Sequence, residues 1–178
     1  ITATPTITNV SCNAGANGTI ILAVSGGTGA YTYHWYDNTN NSSHNSLAAG
    51  NYGVTITDIN SCSTTASFTV TQPAALNISG QATHVTCAGG TNSGAVNATI
   101  SGGTNPYSYN WNNGATTEDL NNIPGGTYVI TVTDSKQCTA SSSYTVNQPA
   151  SVTGTAQVTN SACSGGNTGA INLTPGGG

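Results

Sequence analysis

The five cysteines are the residues whose type and spacing point most directly to chemistry. Cys12, Cys87 and Cys163 recur at intervals of 75 and 76 residues, and Cys62 and Cys138 lie 76 residues apart. Thiols at recurring positions in a β-rich sequence favour disulfide bonds formed in an oxidising compartment. Zinc is the poorer interpretation, because the sequence has no Cys-x-x-Cys pair and its 3 histidines do not recur with the repeat.

The acidic residues offer little for catalysis. A hydrolase needs two facing carboxylates or a nucleophile beside a base, whereas the acids here are isolated apart from Glu118 and Asp119, which are adjacent in one copy only. Asp58 and Asp134 do recur, each just after a strand pattern, where an aspartate can accept hydrogen bonds from the amides of the following turn. We therefore predict turn-capping roles for these two residues, and no catalytic residue, no metal site and no cofactor.

Aromatic residues alternate along one segment of each copy. Tyr31, Tyr33 and Trp35 fall on one face of a strand, and the pattern recurs at 107–111. Such a face could stack on sugar rings or fill the space between two sheets. The recurrence favours the second interpretation, and the predicted core residues are Tyr33, Trp35, Tyr52, Tyr109, Trp111 and Tyr128.

The charge content excludes two classes of partner. Charged residues make up 3% of the 178, and Lys136 is the single basic side chain in a chain of net charge −4. Nucleic acids and anionic membrane surfaces are bound through clustered Lys and Arg, so neither is expected. No apolar stretch approaches the roughly 20 residues that span a bilayer, and we predict no membrane insertion.

An internal repeat organises the chain. A shift of 76 residues carries Tyr31 to Tyr107 and Trp35 to Trp111, and the same shift carries the Ser-Gly-Gly, Thr-Asp and Gln-Pro motifs onto second copies. Pro followed by small residues makes short connectors near residues 74 and 150. The predicted domains are one repeat at 1–74, a second at 75–150, and the opening strands of a third at 151–178, which suggests a piece of a longer protein.

Every strong hydrophobic pattern has period two, and none has the helical period of 3.6. Within each repeat the turn motifs separate five identifiable strands, and about seven short strands in about 76 residues indicate an immunoglobulin-like sandwich. The predicted fold is therefore all-β, with tandem sandwich repeats stacked end to end. The assigned strands are 6–11, 18–25, 30–35, 52–58 and 63–71 in the first repeat, and 76–86, 94–101, 106–111, 128–134 and 139–147 in the second.

The ordered motifs of the second copy resemble the SprB-type repeats of Bacteroidota cell-surface proteins, a family that includes the gliding-motility adhesin. The matching residues are Val85-Thr-Cys87-Ala-Gly89-Gly90, Ser101-Gly102-Gly103-Thr104, Tyr107 to Trp111, Gly126 to Asp134, Cys138 and Val146-Asn-Gln148-Pro149. The first copy departs mildly, with Ala14 in the cysteine loop and Gly53 in the tyrosine strand. The resemblance implies a large surface protein of many tandem repeats, exported by the type IX system and used for adhesion or gliding.

Two disulfide pairings remain open. Pairing within repeats joins Cys12 to Cys62 and Cys87 to Cys138. However, the loop after the first strand and the loop before the last lie at opposite ends of a sandwich, roughly 26 Å apart for an eight-residue strand, whereas bonded cysteines have Cα atoms within about 7 Å. End-to-end stacking favours a bond between Cys12 and Cys138 instead, with Cys87 and Cys163 bonding later repeats and Cys62 an earlier one.

The predicted function is a non-catalytic stalk segment of a secreted bacterial surface adhesin or filament, extracellular and attached to the outer membrane. Its expected partners are neighbouring repeats of the same chain, with surface polysaccharide or other cell-surface proteins as further candidates. The segments at 36–47 and 112–123 differ most between copies, so recognition could be placed there. Two alternatives are an array of carbohydrate-binding modules and the accessory region of a secreted degradative enzyme.

Overall fold

A computed structural model describes residues 1–88 and 92–178, and the assigned secondary structure there is entirely β. Gly89 and Gly90 of the cysteine-loop motif lie outside the described residues. The strands of the first repeat are β1 (Thr2–Thr8), β2 (Gly18–Ser25), β3 (Thr32–Trp35), β4 (Ser43–Leu47), β5 (Gly50–Thr57) and β6 (Ser63–Val70). Among the described residues, no helix is long and apolar enough to cross a membrane.

The first repeat forms two three-stranded sheets, in the orders β1-β2-β4 and β3-β5-β6. The pairs β1–β2, β3–β5 and β5–β6 are antiparallel and in continuous register, for example from Thr2 opposite Ser25 to Thr8 opposite Thr19. Alternation along β2 and β5 places one face of each strand in the core, as period-two patterning requires. The buried residues are Val10, Ile20, Leu22, Trp35, Leu47, Val54, Ile56 and Val70.

The second repeat has the same strand order. Its strands are β7 (Asn77–Thr83), β8 (Gly94–Ser101), β9 (Tyr107–Trp111), β10 (Leu120–Ile123), β11 (Gly126–Asp134) and β12 (Thr139–Val146), arranged as β10-β8-β7 and β12-β11-β9. Trp111, Val132 and Val146 are buried at the positions of Trp35, Ile56 and Val70. The all-β fold of tandem immunoglobulin-like repeats is therefore confirmed.

Three details of the predicted strands are corrected. The first strand covers Thr2–Thr8 rather than 6–11, because the chain turns away from β2 after Thr8 to form the cysteine loop. β4 and β10 lie inside the segments 36–47 and 112–123, for which the sequence pattern predicts no strand. Six strands, rather than about seven, make up each of the two repeats in the described chain.

The last two strands, β13 (Thr153–Thr159) and β14 (Ala170–Gly176), form an antiparallel hairpin. They correspond to the first two strands of each full repeat. Ile171 and Leu173 occupy the positions of the buried Ile20 and Leu22, yet they are exposed by 75% and 65%. A hairpin of this kind needs an opposing sheet before its apolar face is buried.

Contacts divide the described chain into two compact units. The first comprises Ile1–Ile78, Ile100–Ser108 and Val132–Ala140, and the second comprises Ser79–Thr99, Tyr109–Thr131 and Ser141–Gly178. The first unit thus joins the whole first repeat to one end of the second. The repeat boundaries near residues 74 and 150 stay a prediction.

Candidate functional site

A disulfide joins Cys12 of the first repeat to Cys138 of the second, with an S–S distance of 2.02 Å and a Cα–Cα distance of 5.7 Å. Both cysteines belong to the first compact unit. The favoured cross-repeat bond is therefore present, and neither alternative bond, Cys12 to Cys62 or Cys87 to Cys138, is formed. Cys62, Cys87 and Cys163 carry exposed free thiols.

The register of the first repeat explains why its own two cysteines do not pair. The Cys12 loop lies beside the end of β6, because the Val10 amide donates to the Thr71 carbonyl at 3.0 Å. Cys62 instead precedes the start of β6, where Ser63 lies opposite Thr57. The eight residues of β6 separate the two cysteines by roughly 26 Å, several times the reach of a disulfide.

The Gln-Pro motif that ends the first repeat holds the Cys12 loop in place. The Gln72 Oε1 accepts a hydrogen bond of 2.8 Å from the Ala14 amide, and the Asn13 side chain donates to the Pro73 carbonyl at 3.1 Å. Asn9 Oδ1 accepts from the Thr71 amide at 2.9 Å. In the first repeat the Gln-Pro pair therefore positions the loop of Cys12, whereas the Gln148 Oε1 of the second repeat accepts a hydrogen bond from the Gly125 amide at 3.3 Å.

The turn that carries Cys138 is built on Asp134. One carboxylate oxygen accepts hydrogen bonds from the amides of Lys136 and Cys138 at 2.8 and 2.9 Å, and the other accepts from the Thr104 amide at 2.8 Å. Burial raises the pKa of Asp134, but these amides, first that of Cys138, outweigh it, so the pKa falls below its ordinary value. The side chain therefore fixes the backbone that presents the sulfur.

Asp58 repeats this arrangement in the first repeat. Its carboxylate accepts hydrogen bonds from the amides of Thr28, Asn60 and Cys62, at 3.0, 2.9 and 2.9 Å. The pKa of Asp58 is lowered, first by the Thr28 hydrogen bond. The turn that presents the free Cys62 thus has the same hydrogen bonds as the turn that presents the bonded Cys138.

Two glycines allow the connector between the repeats to approach this turn. Gly102 and Gly103 have φ angles of 72° and 63°, in the left-handed region that favours glycine. The Gly103 amide donates to the Ala74 carbonyl at 2.9 Å, and a Cβ at Gly102 would lie 1.9 Å from the Ala75 carbonyl oxygen. The Ser-Gly-Gly motif therefore seats the connector against the end of the second repeat that carries Cys138.

The predicted core aromatics fall into two groups. Trp35, Trp111 and Tyr128 are exposed by 1%, 2% and 7%, and the two indole nitrogens donate to the carbonyls of Asn41 and Thr117, both at 2.8 Å. Tyr33, Tyr52 and Tyr109 are only partly buried. A tyrosine in this position can pack its ring while its hydroxyl reaches an exposed partner, as Tyr52 does by donating to the Ala48 carbonyl at 2.9 Å.

The structure also assembles a side-chain cluster that the sequence did not predict. The His44 Nε2 lies 2.7 Å from the Asp37 carboxylate, and the buried His44 ring packs edge-on against Trp35 and Tyr52 at centroid distances of 5.0 and 5.5 Å. The amide and hydroxyl of Thr39, followed by His44, lower the pKa of Asp37. The signal available in the sequence was a set of coordinated differences between copies, because Asn113 and Leu120 replace Asp37 and His44 in the second repeat.

These features define a class: a β-sandwich repeat protein whose successive immunoglobulin-like repeats are joined by a disulfide. No group of three or more potential metal ligands occurs among the described residues. The SprB repeat family model matches residues 4–40 and 79–116, one segment in each full repeat. This match confirms the resemblance to SprB-type repeats, a family of cell-surface proteins.

Two solved structures are similar to the chain at low identity. The amphioxus IgVJ-C2 molecule is 14% identical, with 78% of this chain and 100% of that chain covered and a TM-score of 0.38. A C-terminal 282-residue fragment of intimin, in complex with the intimin-binding domain of its translocated receptor, is 16% identical, with 86% and 67% covered and a TM-score of 0.42. No curated protein matches the chain.

Proposed function

We propose that the chain is a load-bearing stalk segment of a large secreted bacterial surface adhesin or filament that acts in adhesion or gliding motility. The proposal rests on one observation, the bond between Cys12 and Cys138. A disulfide within a repeat would strengthen that repeat alone, whereas this one closes a loop with a sequence separation of 126 residues and joins two repeats covalently. Its role is mechanical, and its partners are the neighbouring repeats.

The same bond and the family support a proposal about the location. Disulfides persist in oxidising compartments such as the cell exterior, and SprB-type repeats are found in cell-surface proteins. We propose that the protein is exported by the type IX system and attached to the outer membrane, with its repeats extended from the cell. Immunoglobulin-like repeats of this family are typically non-catalytic, so we propose no enzymatic activity for this segment.

Pulling single molecules by their two ends tests the mechanical role. In the oxidised chain the disulfide prevents the loop between Cys12 and Cys138 from extending under force. At about 3.5 Å per extended residue, a loop of 126 residues corresponds to about 440 Å. The fully stretched oxidised chain should therefore be about 440 Å shorter than the same chain pulled in a reducing agent.

Two cysteine variants provide a matched comparison. Under oxidising conditions Cys138→Ser should extend to the reduced length, whereas Cys62→Ser, which changes the equivalent but unbonded residue, should extend to the oxidised length. The load-bearing role would be wrong if the oxidised parent chain extended to the reduced length, because the bond between Cys12 and Cys138 would then not carry the applied force.

A further inference from the structure

The first repeat contains a pocket whose lining residues differ from those at the equivalent positions of the second repeat. The pocket has a volume of about 270 Å³, and Trp35, Tyr36, Asp37, His44, Asn51, Tyr52 and Gly53 line it. It is separate from the disulfide junction on which the proposed function rests. Five lining residues change together between the copies, because Asn112, Asn113, Leu120, Thr127 and Val129 replace Tyr36, Asp37, His44, Asn51 and Gly53.

Tyr36 forms an exposed aromatic wall of the pocket. The residue is 74% exposed and lies in the turn that directly follows β3. The ring rests over Gly53, where a Cβ would fall 2.2 Å from the ring, and the Tyr36 amide donates to the Gly53 carbonyl at 3.1 Å. In the second repeat Val129 stands at the position of Gly53, and the Asn112 side chain donates to the Thr127 carbonyl at 3.0 Å and accepts from the Val129 amide at 3.2 Å.

The polar wall of the pocket is held in a fixed geometry. Asp37 is clamped by the His44 ring at 2.7 Å and by the amide and hydroxyl of Thr39 at 3.1 and 2.8 Å, while its side chain stays 49% exposed. Asn51 Oδ1 accepts from the Thr69 hydroxyl at 2.7 Å, which leaves the Asn51 amide nitrogen as a donor beside the pocket. The Asp37 carboxylate, as a hydrogen-bond acceptor, and the Asn51 amide, as a donor, therefore line the same pocket as the Tyr36 ring.

We propose that this pocket binds one neutral hexopyranose unit of a surface polysaccharide. A pyranose presents an apolar face that packs on an aromatic ring and hydroxyl groups at its edge that both donate and accept hydrogen bonds. The pocket offers Tyr36 for the face and Asp37 and Asn51 for the edge. It contains no Lys or Arg, so it does not suit a phosphate or carboxylate. The Asp37 carboxylate is already bound by His44 and Thr39. We therefore expect it to accept a hydrogen bond from a sugar hydroxyl rather than to bind a cation.

The two tryptophans of the chain allow the proposal to be tested within one molecule. In ¹H–¹⁵N spectra of the full 178-residue chain, each indole N–H gives one signal. We expect titration with D-glucose, D-galactose, D-mannose, L-fucose and N-acetyl-D-glucosamine, each at millimolar concentration, to shift the Trp35 indole signal for at least one sugar. The Trp111 signal should stay in place, because the second repeat lacks the aromatic wall.

Variants complete the test. Tyr36→Ala should weaken binding by about tenfold, the loss expected for one aromatic contact. The double variant Tyr36→Asn with Gly53→Val reproduces the second repeat's own pair, which packs in this fold, and should abolish the shift of Trp35. Ile59→Ala, which removes a side chain 69% exposed elsewhere in the repeat, should leave binding unchanged.

Three outcomes would overturn the proposal. The first is that no sugar moves the Trp35 signal. The second is equal movement of the Trp35 and Trp111 signals. The third is a response of Trp35 to choline, a cationic probe, without a response to any sugar, which would identify the pocket as a cation site.

Discussion

At the scale of single residues, the Tyr144 hydroxyl is buried and has no hydrogen-bond partner among the described residues. Its ring packs against Trp111 at a centroid distance of 6.2 Å, and the equivalent residue in the first repeat is Phe68, which packs against Trp35 at 6.5 Å. A buried polar group without a partner costs about 1 to 3 kcal/mol. The first repeat shows that the fold accommodates a ring without the hydroxyl.

We therefore expect Tyr144→Phe to stabilise the chain by about 1 kcal/mol, measured as an increase in the midpoint of urea unfolding at constant slope. Tyr128→Phe provides the matched control, because the Tyr128 hydroxyl donates to the Pro124 carbonyl at 2.9 Å. That substitution should destabilise the chain. A loss of stability in Tyr144→Phe comparable with that of the control would contradict the absence of a partner.

Asp58 and Asp134 give the fold a defined acid sensitivity. Both pKa values lie below the ordinary 3.8, because backbone amides favour the ionised carboxylates. Such groups contribute stability that is fully present above the unfolded-state pKa and is lost as the pH falls through the lower folded-state pKa. The thermal midpoint of the oxidised chain should therefore decrease steadily as the pH falls below about 3.8.

Asp134→Asn tests this assignment. An amide side chain has only one acceptor oxygen to offer the amides of Thr104, Lys136 and Cys138, so the variant should melt several degrees lower at neutral pH and show a flatter acid response. Circular dichroism melts across the pH series measure both effects. Glu118→Gln, which changes an exposed carboxylate, should keep the parent profile; an equally flat profile there would argue against Asp134 as the source.

At the scale of elements, period-two patterning located most of the strands that alternate regularly, although it misplaced β1, and it missed the two strands in which a bulge interrupts the alternation. In β4 the buried residues His44 and Leu47 are three apart, Ser46 has a φ of 60°, and the register against β2 shifts. β10 shows the same irregularity, with buried Leu120 and Ile123 and Asn122 at a φ of 56°. A bulge adds one residue to the strand and conceals its period.

The same limit applies to the candidate sites. The turn-capping positions of Asp58 and Asp134 could be predicted because two partners of each are amides two and four residues further on, a local property of sequence. The third partner, the amide of Thr28 or Thr104, lies 30 residues away and could not be predicted. The sequence left two possible partners for Cys12, Cys62 and Cys138. It could not decide between them, because the pairing depends on where β1 ends and how the connector folds back. The contact between Asp37 and His44 depends on the bulge in β4, so no sequence motif predicts it.

At the scale of the whole molecule, the junction implies a rule for every successive pair of repeats. The loop cysteine of one repeat bonds the turn cysteine of the next, as Cys12 bonds Cys138. Cys62 is presented by the same aspartate-capped turn as Cys138, and it is exposed and free. Under this rule Cys62 is a turn cysteine available to a preceding repeat, while Cys87 and Cys163 are loop cysteines available to following ones.

A tandem array of identical copies of residues 75–150 tests the rule, because each copy supplies one loop cysteine, Cys87, and one turn cysteine, Cys138. Bonding between neighbours leaves the turn cysteine of the first copy and the loop cysteine of the last copy without a partner. Thiol titration of the oxidised, unfolded array should therefore find two free thiols per chain regardless of the number of copies. Bonding within copies would leave none, and an unbonded array would give a thiol count that rises with length. Peptide mapping without reduction should find Cys87 joined to Cys138. An array in which odd copies carry Cys138→Ser and even copies carry Cys87→Ser should keep one such bond in every odd–even pair, whereas bonding within copies would leave none. That dependence on the neighbour, rather than on the copy itself, is what makes the array continuous under load.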